Sequence, residues 1–340
     1  MSTDAARFAR ELLDVTSPPS IGARIERSAI SAQKAGGHYL NREPLRVVDI
    51  HSFLQMDIPP RDMMLEPWLP SQSLSMIYAK RGTGKTHIAL SIAYAVASGT
   101  GLLGWRAPDA RKVLYLDGEM LAAPLQERLA AIVKGSDLEP APGMLNIVTP
   151  DLQKSFMPDL ATLGGQAALN EVIPQETRLI IVDSLSSLLR GEGRENDAES
   201  WLPVAEWALA QRVAGRSVLF LHHANRRGEQ RGTSKREDLL DVVLVLRPPH
   251  EYQPNMPARF EIHIEKSRSL CREFVPIEAE LVEADGGGVT WTAKAVEETL
   301  SERVRRMADD GMSKKEIAEE LHVDRSTVYR ALKRVQEEKA

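Results

Sequence analysis

Residues 79–86 read AKRGTGKT and stand between an apolar run at residues 73–78 and a helix-like pattern at residues 87–97. Such a loop between a strand and a helix is typical of phosphate-binding loops. Its glycines let backbone N–H groups wrap phosphate oxygens, and the helix N-terminus favours an anion. The first position departs from the usual pattern, because Ala79 stands where glycine is expected. The expected nucleotide-binding residues are Lys80, Arg81, Gly82, Thr83, Gly84, Lys85, Thr86 and His87.

Two residues of this loop have side chains suited to a nucleoside triphosphate. The ammonium of Lys85 would reach the β and γ oxygens, and the hydroxyl of Thr86 would be a ligand of Mg²⁺. A glycine-rich turn with a chance lysine is the alternative interpretation. The strand-loop-helix context favours the binding of ATP with Mg²⁺.

Two further apolar runs end in carboxylates. Residues 179–183 read LIIVD, and residues 113–119 read VLYLDGE. Open α/β sheets bind ligands at the carboxyl ends of their strands, so Asp183 is the expected Mg²⁺ ligand of the Walker B type. Glu119 is the expected general base for the attacking water. The alternatives are a helix cap for Asp183 and a solvated loop acid for Glu119.

Short apolar runs alternate with helical patterns over residues 47–292, which predicts βαβ units and a largely parallel sheet. The last runs lie close together, which indicates antiparallel additions at one side. A DGGG sequence at residues 285–288 predicts a turn, and residues 292–299 a passage to a helical module. The predicted strands are Leu74–Ala79, Val113–Asp117, Leu145–Val148, Leu179–Asp183, 218–221, 242–246 and 260–264.

Bulk properties narrow the classes of protein. The 340 residues suffice for one large domain with attachments, and the net charge of −5 excludes a globally basic nucleic-acid coat. A single cysteine, Cys271, excludes an intramolecular disulfide and a cysteine-rich zinc site. No apolar run is long enough for a membrane helix, and we expect a cytoplasmic protein that does not contact membranes. Residues 1–46 are expected to be a flexible or docking arm.

The order of these motifs resembles a known family. The phosphate loop is followed by DGEM at residues 117–120, VDS at residues 182–184 and LHHANR at residues 221–226. This order, over residues 47–292, is similar to the RecA-like ATPases of the AAA_25 group. Within it, the resemblance is to hexameric plasmid replicative helicases of the RepA type.

The resemblance implies roles for residues of this chain. It makes Glu119 the catalytic glutamate, Asp183 the Walker B acid and His223 a sensor of the γ-phosphate, with His222 as the alternative sensor. It also implies a homo-oligomer, in the form of a hexameric ring. A RecA-like ATPase domain would then occupy residues 47–295.

Two basic features follow the histidines. The first is a glycine-containing loop with a single acid, expected to grip single-stranded DNA through phosphate contacts; its cations are Arg226, Arg227, Arg231, Lys235 and Arg236. A solvated surface loop is the alternative, since the segment has no aromatic side chain for stacking.

The second feature is Lys266 with Arg268, whose spacing of two would put both cations on one face of a strand. In relatives this element reaches the γ-phosphate of the neighbouring subunit, so these two residues are expected to act there in catalysis. An ordinary basic strand end is the alternative.

Residues 296–340 form the last predicted domain, a helix-turn-helix. A helix at residues 300–308 precedes a capping-box sequence, SKKE, at residues 313–316, and a third helix spans residues 326–335. Residues 325–330 resemble the recognition helix of resolvase-type DNA-binding domains, which contacts duplex DNA. The expected DNA-binding residues are Arg325, Ser326, Thr327, Tyr329, Arg330, Lys333 and Arg334. A three-helix protein-interaction module is the alternative.

Two functions are compatible with these patterns. The first is an ATP-driven DNA helicase, and the second is a regulatory ATPase that binds DNA or recruits partners without unwinding. A small-molecule kinase fits poorly, because nothing resembles an acceptor-binding lid and the C-terminal module would have no role.

Overall fold

A computed structural model describes residues 45–189, 198–224, 238–249, 252–253, 256–268, 274–296, 300–309 and 311–337. The chain divides into two units, residues 1–59 and 60–340. In the first unit, helix α1 (Ile50–Leu54) begins after Asp49, whose carboxylate accepts hydrogen bonds from the N–H groups of His51 and Ser52.

The second unit contains all other helices and strands of the described residues. The helices are α2 (Lys85–Ser98), α3 (Ala122–Lys134), α4 (Leu163–Val172), α5 (Ala198–Val213), α6 (Leu300–Asp309), α7 (Lys314–Glu320) and α8 (Arg325–Glu337). The strands are β1 (Met63–Leu65), β2 (Leu69–Pro70), β3 (Leu74–Ala79), β4 (Gly101–Leu102), β5 (Trp105–Arg106), β6 (Val113–Asp117), β7 (Leu145–Val148), β8 (Leu179–Asp183), β9 (Ser217–His223), β10 (Val242–Arg247), β11 (Arg259–Ser267), β12 (Ile277–Ala284) and β13 (Gly288–Ala295). No helix among these is long and apolar enough to cross a membrane.

A nine-stranded sheet with the order β13-β12-β11-β10-β3-β9-β8-β6-β7 forms the centre of this unit. Strands β10, β3, β9, β8, β6 and β7 are parallel, whereas β11, β12 and β13 are antiparallel additions on one side. The C-terminal ends of the parallel strands therefore lie side by side at one end of the sheet. We call this end, which runs across all the strands, the carboxyl edge. The opposite edge is called the amino edge.

The sheet is covered on both faces, which explains its continuous apolar strands. Every residue of β3, β6 and β8 is buried. One face packs under α2, a helix whose side chains are buried almost throughout. The other face packs under α5, where Trp201 stacks edge-on against Phe220 at 5.5 Å. Because α2 is held so firmly, the loop at its N-terminus has a fixed place above β3.

The predicted fold class is confirmed: a mostly parallel α/β sheet with antiparallel additions and a C-terminal helical region. All the predicted strands are present, and residues 285–287 form the expected turn. One expectation was wrong, since residues 292–295 belong to β13 rather than to a passage between domains. They remain in the sheet because Thr292 and Ala295 pair with Glu280 and Ile277 of β12.

The C-terminal region contains the three predicted helices, α6 to α8. Val304, Ile317 and Val328, one from each helix, are fully buried in a core of their own. The capping box at Ser313 is present, with the Glu316 N–H donating to its hydroxyl oxygen. His322, with a φ of 52°, makes the turn between α7 and α8.

Candidate active site

A cavity of about 670 Å³ opens at the carboxyl edge of the sheet, above β3. It is lined by the phosphate loop and by the ends of three other strands, which bring Glu119, Asp183 and His223 to the same space as Lys85. These residues are far apart in the chain. The parallel sheet unites them because β6, β8, β9 and β3 all end at this edge.

The phosphate loop has backbone geometry that glycine favours. Gly82 has a φ of +78° and Gly84 a φ of +101°, in the region that side chains rarely adopt. A Cβ on Gly84 would also lie 2.6 Å from the Cβ of Ala258. Thr83 is buried, and its hydroxyl donates to the Lys80 carbonyl oxygen at 2.9 Å, which braces the loop. The side chain of Lys80 is exposed and does not line the cavity.

Lys85 is buried at the first position of α2. Its Nζ donates to the carbonyl oxygens of Ala79 at 3.1 Å and Lys80 at 3.0 Å. Burial lowers the pKa of Lys85 to about 8, although the carboxylates of Asp183 and Glu119 oppose the shift. No side chain caps the N-terminus of this helix, so its first N–H groups remain available to an anion. The loop therefore fits a polyphosphate.

Asp183 is 5% exposed and lies beside Thr86. Tyr115 donates its hydroxyl hydrogen to Asp183 Oδ2 at 2.6 Å. Burial raises the pKa of Asp183, and hydrogen bonds from Tyr115 and Thr86 oppose that shift. A buried carboxylate and a hydroxyl are oxygen donors of the kind that Mg²⁺ prefers, so the pair fits this ion.

Glu119 is held by two neighbours at the cavity. His223 Nε2 lies 3.4 Å from Glu119 Oε1, and the Ser184 hydroxyl donates to the same oxygen. The hydrogen bond from His223 is the main reason that the pKa of Glu119 falls to about 2, against the effect of burial. Glu119 is therefore an ionised acceptor. Asp117 shapes its loop by accepting hydrogen bonds from the N–H groups of Glu119 at 3.2 Å and Met120 at 3.1 Å.

The two histidines at the end of β9 have different surroundings. His223 lines the cavity, whereas His222 is fully buried and does not. Neighbouring residues of a strand point to opposite faces, and the pairing of β9 with β3 aligns His223 with Ala79. Of the two sensor candidates, only His223 contacts Glu119 in the described residues.

Several residues in or beside the cavity were not predicted from sequence, among them Arg128, Tyr252 and Ser184. Arg128 lies on α3, with Nη1 3.4 Å from the sulfur of Met120, and Tyr252 precedes β11. Ser184, next to Asp183, does not line the cavity, but its hydroxyl donates to Glu119. The position of Arg128, nine residues after Glu119, could have indicated its place near the site. No feature of the sequence around Tyr252 indicated that this residue lines the cavity. His87 was predicted, and burial followed by the charge of Arg128 lowers its pKa to about 4, so it is a neutral imidazole.

Lys266 and Arg268 lie at the amino edge, away from the cavity of their own chain. The antiparallel strand β11 begins near the phosphate loop and ends at Ser267, which pairs with Val242. The expectation that both cations belong to one strand was wrong, because Arg268 lies past its end. There the Arg268 N–H donates to the Asp241 carbonyl oxygen at 2.7 Å, and its guanidinium donates to that of Asp238.

The predicted DNA-binding residues fall into two groups. Those of the basic loop, Arg226, Arg227, Arg231, Lys235 and Arg236, lie outside the described residues, as does the side chain of Arg334. On α8, Thr327 is half-buried, and the exposed side chains are those of Arg325, Ser326, Tyr329, Arg330 and Lys333. Arg330 donates to the Thr327 hydroxyl oxygen at 3.3 Å, and Lys314 lies 5.0 Å from the centre of the Tyr329 ring. The structure thus places most of the predicted set on one helix.

Fold and site together define a P-loop nucleotide-binding protein with a C-terminal helix-turn-helix. Residues 40–229 match the AAA_25 family, described as an AAA domain, and residues 303–340 match a homeodomain-like domain, HTH_23. The chain belongs to the AAA_25 family, whose members have a RecA-like ATPase fold. Nucleotide-dependent activity and DNA binding are the functions that these matches support.

Among solved structures, the chain is similar to two proteins at low sequence identity. A KaiC-like protein from the hyperthermophilic archaeon Pyrococcus horikoshii OT3 is 17% identical, with a TM-score of 0.47, over 68% of this chain and 98% of that one. A RadB recombinase is 18% identical, with a TM-score of 0.45, over 67% of this chain and 92% of that one. No curated protein matches the sequence.

Proposed function

We propose that this protein is an ATPase that acts on DNA as a ring of identical subunits, and that its specific activity is that of a replicative-type DNA helicase of a plasmid or mobile element. The observation that carries the ATPase part is the convergence of Lys85, Asp183 and Glu119 in one cavity. A loop for phosphates, a buried acid and an ionised acceptor are the groups that phosphoryl transfer to water requires.

The residues of the chain divide the reaction between them. The loop N–H groups and Lys85 bind the β and γ oxygens of ATP. Thr86 and Asp183 would hold Mg²⁺, which neutralises charge on the same oxygens when bound. Glu119 accepts the proton of the attacking water. His223, which contacts Glu119 from the end of β9, can relate the state of the site to the basic loop that follows this strand.

The position of Lys266 and Arg268 supports the proposed assembly. Both lie at the amino edge, whereas the phosphate loop of the same chain lies at the carboxyl edge. A second copy would bring these cations to the γ-phosphate, where they would stabilise charge in the transition state. The hydrolytic unit is then an interface between subunits.

DNA would be bound at two surfaces with different chemistry. The basic loop at residues 226–236 would contact the phosphates of a single strand, because it is rich in cations. The exposed face of α8 would enter the major groove of a duplex, where Arg330 and Arg325 offer hydrogen-bond donors.

The second candidate is a regulatory ATPase that binds duplex DNA without unwinding it. The homeodomain-like match at residues 303–340 favours it, since such a domain can account for duplex binding without unwinding. Its hydrolysis would reset an assembly on DNA.

One set of assays separates the two candidates. ATP hydrolysis is measured alone, with single-stranded DNA and with duplex DNA, and the mass in solution is determined with and without ATP. A helicase predicts stimulation by single strands, strand separation and a ring. Duplex binding with neither single-strand stimulation nor strand separation would reject the helicase and support the regulator. Absence of hydrolysis under all conditions would reject both.

A further inference from the structure

The connection between β10 and β11 brings apolar side chains into the cavity. Tyr252, Met256 and Ala258 line it together with Gly82 and Gly84 of the phosphate loop. Tyr252 is partly exposed, and its hydroxyl donates to the Gly82 carbonyl oxygen at 3.3 Å. The aromatic ring is therefore held beside the loop rather than packed in the core.

The position of this connection relative to the acids is set by strand order. The phosphate loop follows strand β3. On one side of β3 lie the strands that lead to the hydrolytic residues, namely β9 with His223, β8 with Asp183 and β6 with Glu119. On the other side of β3 lies β10. The hydrolytic residues fix the γ-phosphate on their side. The remainder of a nucleoside triphosphate must extend away from them.

The walls of the cavity differ in polarity. On the α3 side, Met120 contacts the guanidinium of Arg128, so a cation dominates that wall. On the connection, the described lining side chains are an aromatic ring, a thioether and a methyl group, and no charge is among them. A flat apolar ring system is best accommodated by an aromatic face with a flexible thioether beside it.

We propose that Tyr252 and Met256 form a nucleobase subsite, in which the ring of Tyr252 packs against a purine base of the bound nucleotide. This inference rests on the proposed nucleotide site and adds the group that selects a nucleotide over a bare polyphosphate. The close approach of Ala258 to Gly84 places the end of the connection against the phosphate loop, because the Ala258 methyl group occupies the space that a side chain at Gly84 would need.

The test compares ATP with inorganic tripolyphosphate, which has the same phosphate chain and no base. Affinities of both are measured by calorimetry with Mg²⁺ for the full-length protein, Tyr252→Ala, Tyr252→Phe and Lys85→Ala. Gln253→Ala is the matched control, since Gln253 is the exposed neighbour of Tyr252 and does not line the cavity. Melting temperatures verify that each variant folds.

Loss of the ring is expected to weaken ATP about tenfold or more, as for an aromatic side chain that stacks on a base. Tripolyphosphate affinity should stay unchanged in Tyr252→Ala, and Tyr252→Phe should bind ATP nearly as the parent does. Equal weakening of both ligands would overturn the subsite and make Tyr252 a support of the loop. An unchanged affinity for ATP in Tyr252→Ala would overturn it as well.

The outcome for the parent protein separates this inference from the proposed function. If it binds neither ligand, the nucleotide site itself is wrong. If it binds both with equal affinity and Lys85→Ala abolishes both, the phosphate site stands and the base subsite is rejected.

Discussion

The two edges of the central sheet carry different chemistry. At the carboxyl edge, four parallel strands end in residues that converge on one cavity, including Lys85, Asp183 and Glu119. At the amino edge, Lys266 lies near the end of the antiparallel strand β11 and Arg268 directly follows that strand, and neither lines the cavity in the described residues. One chain therefore carries the groups that bind its own nucleotide at the carboxyl edge. Under the proposed assembly, its amino edge carries the groups that complete the site of another subunit.

The largest effect is expected from Lys85→Ala, which should reduce hydrolysis below detection. The substitution removes the side-chain counterion of the β and γ oxygens, and with it both affinity and transition-state stabilisation. Steady-state phosphate release measures it. Lys134→Ala, an exposed lysine of α3, is the control and should behave as the parent. Turnover near the parent value in Lys85→Ala would show that the cavity at the carboxyl edge is not the site of ATP hydrolysis.

Arg268→Ala tests the amino edge and should lower kcat about a thousandfold while ATP binding stays near normal, because a trans-acting arginine contacts mainly the transition state. Subunits with Arg268→Ala are then mixed with subunits carrying Lys85→Ala. Each mixed interface can pair an intact loop with an intact arginine, so some activity should return. No recovery at any ratio, despite demonstrated co-assembly, would mean that Arg268 does not act between subunits.

Glu119→Gln should reduce turnover about a hundredfold or more and keep ATP binding, since an amide retains the shape but cannot accept the proton of water. Binding and single-turnover hydrolysis are measured separately. Asp151→Asn is a suitable control for a carboxylate that lies outside the cavity, where it accepts a hydrogen bond from the Ala122 N–H at 2.8 Å. If Glu119→Gln loses affinity while bound ATP is hydrolysed at the parent rate, Glu119 has a structural role.

Removal of residues 297–340 tests whether the helix-turn-helix binds duplex DNA separately from the ATPase domain. Duplex binding should fall about tenfold or more, because the helix that contacts the groove is lost, while ATP hydrolysis and its stimulation by single strands persist. Binding is compared at two salt concentrations. Unchanged duplex binding would make α6 to α8 a protein-interaction module, the alternative that the sequence left open.

The smallest effect is expected from Arg330→Ala, which should reduce discrimination between duplex sequences about fivefold or more if the guanidinium reaches a base edge. Competition between a selected site and random duplex measures this ratio. The substitution also removes the bond from Arg330 to Thr327, so the melting temperature of the variant is measured to check the packing of the helix. Equal weakening on all sequences would assign Arg330 to the phosphates.

Much of the fold could be predicted because its signals are local. Strands such as β6 and β8 are nearly continuous apolar runs, since both faces of the sheet are covered there, and the phosphate-loop motif predicts the strand before it and the helix after it. Strands β12 and β13 were not predicted individually, and residues 292–295 were assigned to a linker. In β12 only Ala279 and Leu281 are buried, and most residues of β13 are exposed, so neither strand has a continuous apolar run.

The site was partly predictable for the same reason. Asp183 and Glu119 follow apolar strands directly, so the strand-end rule finds them; their catalytic roles stay predictions. Arg128 and Tyr252 come from a helix and a connection, whose direction depends on long-range packing. The close approach of Ala258 to Gly84 joins residues that are distant in sequence, and neither local sequence predicts it.

By itself, the sequence determined the phosphate loop, the two acid-ending strands and the three C-terminal helices, because each depends on spacing within a few residues. Only the tertiary structure decided which histidine enters the cavity, since the pairing of β9 with β3 turns His223 toward Glu119 and His222 into the core. It also decided the place of Lys266 and Arg268. Their strand is antiparallel to β10, and that direction alone moves both cations to the amino edge.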